Sequence, residues 1–409
     1  MSDLLNVYLN SEFVGVLSKD NNGGVCFQYD EGAKHQLSLS LPIRKELYPN
    51  ADCKGFFNGL LPESEQVRVY IGKKYGINPK NDFSLLQAIG YDCAGAVAFF
   101  EDKPKNLREY YTIKGRVLSD DELEKYINEL PKKPLALGSD KRLSLAGAQD
   151  KTAVILKNKK VAIPDDNVPS THILKPAIVG LNETIENEYI CLKVAEKLGI
   201  KIPNVRMGKA NDTEYFLIER YDREIKSGKI KRIHQEDFCQ ASNIPSAYKY
   251  QSEGGVDFKR CVEILKKTTR PAVSIKQFVE LMIFNYLIGN NDAHGKNFSI
   301  LHYDNGETMF APAYDILCTS VYPELSSKMA MKIGGYYESE KIYPRHFERM
   351  AKDIGISYTQ VKKIIKNQCE TLPDIVKEVS NSFDNNIGKD IFKIVAKNCT
   401  RNLENFNEN

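Results

Sequence analysis

The sequence lacks the patterns that mark zinc-finger, disulfide-rich and membrane proteins. Its nine cysteines are an odd number and include no Cys-x-x-Cys pair, which excludes the usual zinc-finger spacings and argues against a disulfide scaffold. No apolar run reaches the roughly 18 residues of a membrane span. The start, Met1 to Leu4, has neither the basic nor the apolar region of a signal peptide. These absences predict a cytoplasmic protein with free thiols and no membrane partner.

Strong charge and glycine-rich nucleotide motifs are also missing. A net charge of +3 is too small to identify a nucleic-acid binder. Neither Gly-x-Gly-x-x-Gly nor a Walker sequence is present, and no repeat or low-complexity segment is visible. What is present is a chain of 409 residues with 42% apolar content. That is enough for two or three folded domains with sizeable cores.

Two short stretches combine the residue types that phosphoryl transfer requires. Asp292 and Asn297 are five positions apart, Lys296 lies between them, and Asp315 follows on the next apolar segment. In protein kinases one carboxylate orients the attacking hydroxyl, while an amide and a second carboxylate hold magnesium against the phosphates of a nucleotide. The spacing therefore predicts a kinase, with Lys296 contacting the γ-phosphate or stabilising developing charge. The alternative is a polar loop whose Asp and Asn side chains only cap helices.

Weaker signals upstream fit the same chemistry. Small residues at 146–148 would let backbone amides approach a phosphate, and a tight hairpin turn is the plain alternative. Lys175 stands inside an apolar strand. There it can neutralise the α- and β-phosphates, with Glu188 as its ion-pair partner, or simply extend to solvent.

Histidines near the aspartates suggest a second chemistry. Asp292, His294, His302 and Asp315 could together bind a transition metal in a hydrolase. Two aspartates and an asparagine suit magnesium better, because magnesium prefers oxygen ligands. We therefore expect His294 to support its loop through a side-chain hydrogen bond.

Residues 1–135 are predicted to form a small α+β module. The patterns indicate, in order, a β-hairpin over 6–17, a strand over 37–42, a helix over about 63–74 and a strand over 94–100. Ser119 and Glu122 have the spacing of a capping box that opens a short helix. Charges and prolines then place a domain boundary near 135.

Residues 136–234 are predicted to form a nucleotide-binding lobe, and residues 235–409 a mainly helical catalytic and C-terminal lobe. The first has the order of a kinase nucleotide lobe, with a hairpin over 152–163, a strand over 171–176, a helix over 187–198 and a strand from 214. In the second, apolar residues predict a buried helix over 275–288, and about three amphipathic helices over 344–406.

The segment 350–365 has the rhythm of helix, glycine-containing turn and helix. This pattern is typical of a helix-turn-helix, with Lys362, Lys363 and Lys366 on or near the second helix. The alternative is a solvated charged face on a helix that packs against the protein.

The chain resembles the HipA family, the serine/threonine-kinase toxins of bacterial HipBA toxin–antitoxin pairs. The resemblance extends over essentially the whole chain and rests on the stretches 37–42, 56–62, 94–97, 144–151, 171–176, 235–240, 292–299, 314–316 and 344–347. It implies an α+β fold: a protein-kinase-like two-lobed catalytic domain with a mainly helical C-terminal part, preceded by a small α+β N-terminal module.

Carried over by position, the resemblance implies catalytic and nucleotide-binding residues. Asp292 matches the general base, and Asn297 and Asp315 match the magnesium ligands. The positions that match phosphate-binding, adenine-hinge and other nucleotide-contacting stretches are Ala146, Gly147, Ala148, Gln149, Asp150, Lys151, Lys175, Glu219, Arg220, Tyr221, His294, Gly295, Lys296, Asn297, Tyr314, Asp315, Ile316 and Leu317. The hinge is the segment 219–221.

The resemblance also implies regulation and partners. Ser144 matches a serine that family members autophosphorylate, which ejects its loop from the ATP site and switches the kinase off. Lys352 matches a position that touches operator DNA, whereas Gly355 replaces a second basic residue. The implied cofactors are ATP and Mg²⁺. The implied substrate is an aminoacyl-tRNA synthetase, glutamyl-tRNA synthetase being the archetype, whose phosphorylation halts translation. A HipB-like helix-turn-helix antitoxin would neutralise the chain and bind operator DNA with it.

Two other functions stay open at this point. One is a DNA-binding corepressor without catalysis, and the other is a metal-dependent hydrolase.

Overall fold

The computed structural model describes most of the chain. It covers residues 3–20, 23–104, 107–130, 150–165, 168–383 and 386–407. Ser144 and the predicted phosphate-loop residues 146–149 lie outside the described residues. The chain forms two compact units, of which the first comprises Met1–Pro176, Gly208–Ala247 and Ser299–Glu307. The second comprises Ala177–Met207, Tyr248–Phe298 and Thr308–Asn409. The domain boundaries proposed at 135 and 234 stay predictions.

A four-stranded antiparallel sheet begins the first unit. Its strands are β1 (Leu4–Leu9), β2 (Glu12–Lys19), β3 (Val25–Tyr29) and β4 (Val97–Phe100), in the order β3-β2-β1-β4. The tight turn between β1 and β2 is possible because Asn10 adopts a φ of 52°, a conformation that asparagine tolerates in hairpins. The predicted hairpin over 6–17 is confirmed, and the predicted strand over 94–100 is confirmed as β4.

Three helices pack with this sheet around an aromatic core. They are α1 (Asn50–Gly59), α2 (Glu65–Tyr75) and α3 (Asp82–Ile89). The largest buried rings of the core are Phe27, Phe56, Phe57, Phe83 and Phe99. Removing each such ring from water stabilises the fold by about 1.5–3 kcal/mol. The helix predicted over 63–74 is confirmed as α2.

The strand predicted over 37–42 is wrong. Ser38 and Leu41 form only an isolated bridge. The Glu236 carboxylate accepts hydrogen bonds from the Leu39 N–H, at 2.9 Å, and from the Ser38 hydroxyl. A side chain therefore takes the place that a neighbouring strand would occupy, and the alternating pattern reflects burial of residues such as Leu41.

A six-stranded sheet follows in the first unit. The elements of this region are β5 (Tyr111–Thr112), β6 (Gly115–Val117), α4 (Asp120–Glu129), β7 (Thr152–Lys157), β8 (Lys160–Pro164), β9 (His172–Lys175), β10 (Val205–Ala210), which enters the unit at Gly208, and β11 (Thr213–Glu219). The sheet order is β10-β11-β9-β7-β8-β6. The predicted hairpin over 152–163 and the strands over 171–176 and from 214 are confirmed. The capping box of Ser119 and Glu122 is confirmed at the start of α4.

Four short strands complete the first unit. They are β12 (Arg223–Lys226), β13 (Lys229–Arg232), β14 (His234–Asp237) and β15 (Ser299–His302). β12 and β13 form a hairpin that β5 extends, and β14 pairs with β15. The segment between β11 and β12, residues 220–222, contains the predicted hinge residues Arg220 and Tyr221.

A buried cluster of ionic residues fixes this segment to the N-terminal part of the first unit. Arg220 binds the Asp222 carboxylate with two hydrogen bonds, at 2.9 and 2.7 Å. Arg223 binds Asp92 Oδ1 at 2.9 Å. The Ser170 hydroxyl accepts from Arg220 and donates to Asp92 Oδ2, each at 2.9 Å. The carboxylates of Asp92 and Asp222 thus lie among buried guanidinium groups, with Arg232 also 4.0 Å from Asp92 Oδ1.

The aspartates of this cluster are held in their ionised form. Burial alone would raise the pKa of Asp92, but Arg223, Arg220 and Arg232 outweigh it and leave the pKa below its ordinary value. Burial likewise opposes ionisation of Asp222, and Arg220 and Arg223 again lower its pKa. A buried charge of this kind is stable only while its partners remain.

The second unit is mainly helical. Its helices and strands are α5 (Thr184–Lys197), α6 (Phe258–Leu265), α7 (Pro271–Ile288), β16 (Thr308–Phe310), β17 (Lys328–Ile333), β18 (Tyr336–Glu338), α8 (Pro344–Ile354), α9 (Tyr358–Ser380) and α10 (Ile387–Asn407). The helix over 187–198, the buried helix over 275–288 and the three C-terminal helices are confirmed as α5, α7 and α8–α10. In the described parts of the chain, no helix has the length and apolarity needed to cross a membrane.

We predict that Asp92→Asn destabilises the protein far more than a surface change of the same kind. Removing one partner of a buried ion pair costs about 3–5 kcal/mol because it leaves an uncompensated charge. Asp102→Asn, at an exposed aspartate of the same unit, should stay within about 0.5 kcal/mol of wild type. Urea unfolding followed by circular dichroism measures both free energies. Equal losses in the two variants would contradict the assigned role of the cluster.

The difference in unfolding free energy between wild type and Asp92→Asn should depend on pH. Because the folded pKa of Asp92 lies below its ordinary value of 3.8, its contribution is complete above that value and is lost as the pH falls through the folded pKa. The stability difference between wild type and Asp92→Asn should therefore be constant near neutral pH and shrink below about pH 4.

Candidate active site

A buried helix ends where the predicted catalytic loop begins. Eleven residues of α7 are buried, so the helix cannot rotate without exposing its apolar surface. It ends at Gly289, which has a φ of 79° and donates its N–H to Asn285 O. A Cβ atom there would lie 2.9 Å from Ser320 Oγ. Both the left-handed conformation and the available space therefore require glycine.

Hydrogen bonds fix the loop after Gly289 to the segment that follows Asp315. The Gly289 carbonyl accepts from Ser320 Oγ at 2.9 Å and from Thr319 Oγ1 at 3.2 Å. Asn291 donates its backbone N–H to Thr319 Oγ1 at 2.9 Å and its side-chain amide to Ser320 Oγ at 3.1 Å. The two predicted catalytic stretches are thus joined into one rigid piece.

Asp292 is the one exposed residue among positions 291–297. Its backbone N–H donates to Asn290 Oδ1 at 3.1 Å. Its carboxylate oxygen Oδ1 accepts a hydrogen bond from the Tyr250 hydroxyl at 2.7 Å. The carboxylate therefore has a fixed backbone, a defined hydrogen-bond donor and access to solvent.

Asn297 and Lys296 are buried beside it. The Asn297 side-chain amide donates to Asp292 O at 3.0 Å, and the Tyr314 hydroxyl donates to Lys296 O at 2.7 Å. A short 3-10 helix over Gly295–Asn297 shapes this end of the loop. Because the amide nitrogen of Asn297 is used as a donor, its carbonyl oxygen is the atom suited to bind a cation.

Asp315 adopts a left-handed backbone with a φ of 58°. Residues other than glycine rarely take this conformation, although aspartate and asparagine tolerate it. Here the Ala313 N–H donates to Lys201 O at 2.8 Å, and Cys318 N–H donates to Asn187 Oδ1 at 2.8 Å. The segment is thus held on both sides of the aspartate, and Ile316 is buried.

The structure gives no support to a four-residue transition-metal centre. Within the described residues, no group of three or more His, Cys, Asp or Glu side chains is arranged to hold a metal ion. His294 packs its ring edge-on against Tyr250, with centroids 5.2 Å apart. His302 bonds Glu236 at 2.9 Å and stacks on His234. Asp315 and Asn297, by contrast, offer the oxygen atoms that magnesium prefers.

The first unit holds the other predicted nucleotide-binding residues that the structure describes. Lys175 is buried at the end of β9, paired with Phe216 of β11. A buried lysine within a sheet is uncommon. Because Lys175 is buried, the structure does not support the alternative in which its side chain extends to solvent. Burial raises the pKa of Asp150, and Lys151 beside it is half-buried.

The Arg220 side chain forms hydrogen bonds within the protein. Besides Asp222 and Ser170, its guanidinium binds Cys93 O at 3.1 Å, and its backbone N–H donates to Thr171 O at 2.9 Å. The guanidinium of Arg220 therefore has all these partners within the protein, and nucleotide contact by Arg220 stays a prediction. Glu219 and Tyr221 on either side are half-buried.

The C-terminal helix-turn-helix order is present. Helix α8 ends at Gly355 and α9 begins three residues later. Lys352 is exposed in the last turn of α8. Lys362 lies over the Phe406 ring of α10 at 5.6 Å, so this part of α9 packs against the protein. DNA contact by Lys352 stays a prediction.

Comparisons with known proteins identify the chain. The HipA-like C-terminal domain matches residues 143–376, and the HipA N-terminal domain matches residues 5–100. The chain belongs to the HipA family. It is a HipA-type serine/threonine-protein kinase, and its α+β, protein-kinase-like fold class is confirmed.

Individual HipA-family relatives extend over almost the whole chain. It is 38% identical to the putative kinase Y4mE of Sinorhizobium fredii over 386 residues, covering 92% of this chain and 91% of the relative. It is 28% identical to the serine/threonine-protein kinase toxin HipA of Shewanella oneidensis, covering 92% and 89%. The solved complex of Shewanella oneidensis HipA with HipB and operator DNA contains a chain that matches with a TM-score of 0.87, 25% identity and coverage of 99% and 98%.

Several residues that build this HipA-family site carry no motif in the sequence. Tyr250 reaches Asp292 from a segment 42 positions upstream. Asn187, Thr319 and Ser320 act through hydrogen bonds to backbone atoms, which leave no spacing rule to read. The sequence signal for Tyr250 is the pair of tyrosines at 248 and 250, and this pair does not indicate which of them contacts Asp292.

We predict that Gly289→Ala disrupts phosphotransfer by this HipA-family chain. Alanine at a left-handed position costs about 1–2 kcal/mol, and here the methyl group would also push Ser320 and the catalytic loop apart. A displacement of about 1 Å can lower the rate roughly 100-fold. Gly355→Ala is the matched control, because Gly355 has a φ of 72° with no atom within 4 Å of an added Cβ. It should lose stability but keep its kcat, and equal kcat values in both variants would contradict the prediction.

Proposed function

We propose that this chain transfers the γ-phosphate of ATP to a serine or threonine hydroxyl of a protein. The proposal rests on one observation: hydrogen bonds hold the segments that carry Asp292, Asn297 and Asp315 together in the second unit. Their residue types match the general base and metal ligands of protein kinases. Membership of the HipA family supports the same reaction.

The proposed general base is Asp292. It is exposed on a loop that is otherwise buried, so the hydroxyl of a large substrate can reach it. The carboxylate would accept the proton of that hydroxyl as the oxygen attacks phosphorus. Lys296 would stabilise the charge that develops on the transferred group.

The proposed Mg²⁺ ligands are Asn297, through Oδ1, and Asp315, through its carboxylate. Both are oxygen donors of the type that Mg²⁺ prefers. Asn297 is held by its own hydrogen bond, and the segment around Asp315 is held at Ala313 and Cys318. When bound, the ion would neutralise the phosphates and the negative charge that grows during transfer. The stretches 294–297 and 314–317 stay proposed as nucleotide contacts.

In the first unit, the proposed nucleotide-binding residues are Lys175 and the loop 146–151 for phosphates and residues 219–221 for adenine. The burial of Lys175 supports its assignment. Because the guanidinium of Arg220 is bonded within the protein, we propose that Arg220 contacts adenine through its backbone carbonyl. Recognition of adenine by the main chain of residues 219–221 requires such a contact.

The proposed biological context is a toxin–antitoxin system. The similar Shewanella oneidensis chain was solved with HipB and operator DNA, which supports a HipB-like helix-turn-helix antitoxin as partner and operator binding mainly through it. We propose an aminoacyl-tRNA synthetase, such as glutamyl-tRNA synthetase, as substrate and inhibition of translation as the outcome. A corepressor without catalysis would leave the exposed Asp292 and its bond from the Tyr250 hydroxyl without a role.

The proposal predicts that Asp292→Asn and Asp315→Asn each lower phosphotransfer by at least about 100-fold, the scale of general-base catalysis. Neither change should unfold the protein, because Asp292 is exposed and asparagine tolerates a left-handed backbone. Asp374→Asn, at an exposed aspartate of α9, is the matched control. Transfer from γ-labelled ATP to a protein acceptor measures activity. Full activity in both active-site variants would end the proposal.

A second prediction concerns self-limitation. We expect autophosphorylation at Ser144, so that mass spectrometry after incubation with ATP finds phosphate there, and the Asp292→Asn protein lacks it. Ser144→Ala should keep its activity over a time course in which wild type declines. Ser139→Ala is the nearby control and should decline as wild type does. Phosphate at other positions with Ser144 unmodified would reject this part of the proposal.

A further inference from the structure

The Tyr250 hydroxyl is directly bonded to the proposed general base. It donates to Asp292 Oδ1 at 2.7 Å. The ring of Tyr250 is half-buried and meets the buried His294 ring edge-on, at 5.2 Å and 84°. The hydroxyl is therefore delivered to the carboxylate by a ring that is itself packed against the catalytic loop.

The segment that carries Tyr250 is closed and anchored. The Tyr250 carbonyl accepts hydrogen bonds from Glu253 N and Gly255 N, each at 2.9 Å. A Cβ at Gly255 would lie 2.6 Å from Lys249 O, so this compact turn requires glycine. Next to Tyr250, Gln251 Oε1 accepts from Lys332 N of β17 at 2.7 Å. The turn fixes the position of Tyr250 independently of Asp292.

We propose that Tyr250 is a positioning residue that holds the Asp292 carboxylate in the orientation needed to accept the substrate proton. An exposed aspartate would otherwise sample several rotamers, and only a fraction of them would face the acceptor hydroxyl. A hydrogen bond from a fixed donor selects one of them before the substrate arrives. The inference rests on the proposed function, because it assigns Tyr250 a part in the same reaction.

The contact does not block the substrate. An ionised carboxylate has about four lone-pair sites, so it can accept the Tyr250 hydroxyl and the substrate hydroxyl together. Tyr250 keeps its own proton, and the proton of the substrate hydroxyl passes to the carboxylate as the new oxygen–phosphorus bond forms and the bond to the ADP leaving group breaks.

The test compares Tyr250→Phe with Tyr248→Phe. The first removes only the hydroxyl and keeps the ring on His294, whereas the second makes the same change at an exposed tyrosine two positions away. Tyr250→Phe should lower kcat by about 10-fold to 100-fold, as expected for a misoriented catalytic group, with the KM for ATP changed by less than about twofold. Tyr248→Phe should leave both constants within about twofold of wild type.

A double variant separates positioning from a general structural effect. If Tyr250 acts through Asp292, adding Tyr250→Phe to Asp292→Asn should change the residual rate by less than about twofold. A further tenfold loss in that background, an unchanged kcat in the single variant, or a higher kcat would each overturn the inference, as would phosphate found on Tyr250. Full activity of Asp292→Asn would instead reject the proposed function itself.

Discussion

The hydrogen bonds to the carbonyl oxygen of Gly289 hold the candidate active site of the second unit together. It lies at the end of a buried helix and accepts hydrogen bonds from the Ser320 and Thr319 side chains. Asn291 returns two more hydrogen bonds to the same pair. Because glycine is the residue that fits there, the helix end, the Asp292 loop and the Asp315 segment have one relative arrangement. The groups that we propose for catalysis are thus held in one relative orientation.

The same arrangement extends to α5. Asn187 bonds both the N–H and the carbonyl of Cys318 and also the Tyr322 hydroxyl, and that hydroxyl donates to Asn182 O. In protein kinases the helix carrying the ion-pair glutamate is a mobile regulatory element. Here, swinging the helix that carries Glu188 would break several buried hydrogen bonds, each leaving an unsatisfied group. Regulation through a separate loop, as proposed for Ser144, avoids that cost.

Sequence patterns predict an element correctly where the pattern depends on neighbouring residues. The apolar period of α7 and the Ser119 capping box depend on neighbours a few positions apart, and the structure confirms both. The strand predicted over 37–42 is wrong because Ser38 is bonded by Glu236, which lies 198 positions away. Tyr250 was missed for the same physical reason. Its role is defined by an oxygen atom of Asp292 and not by its own surroundings in the chain.

Arg220 illustrates how a position can match a functional stretch while its side chain serves another purpose. Its guanidinium is bonded to Asp222, Cys93 O and Ser170 Oγ, and Asp92 pairs with Arg220 and Arg223. The side chains of Arg220 and Arg223 are therefore held by groups from the N-terminal part of the chain, Asp92 and Cys93 O. Without Asp92, the buried arginines Arg220, Arg223 and Arg232 would each lose a carboxylate partner. The N-terminal part of the first unit is thus required for the geometry of the segment 219–223 and cannot be regarded as an independent appendage.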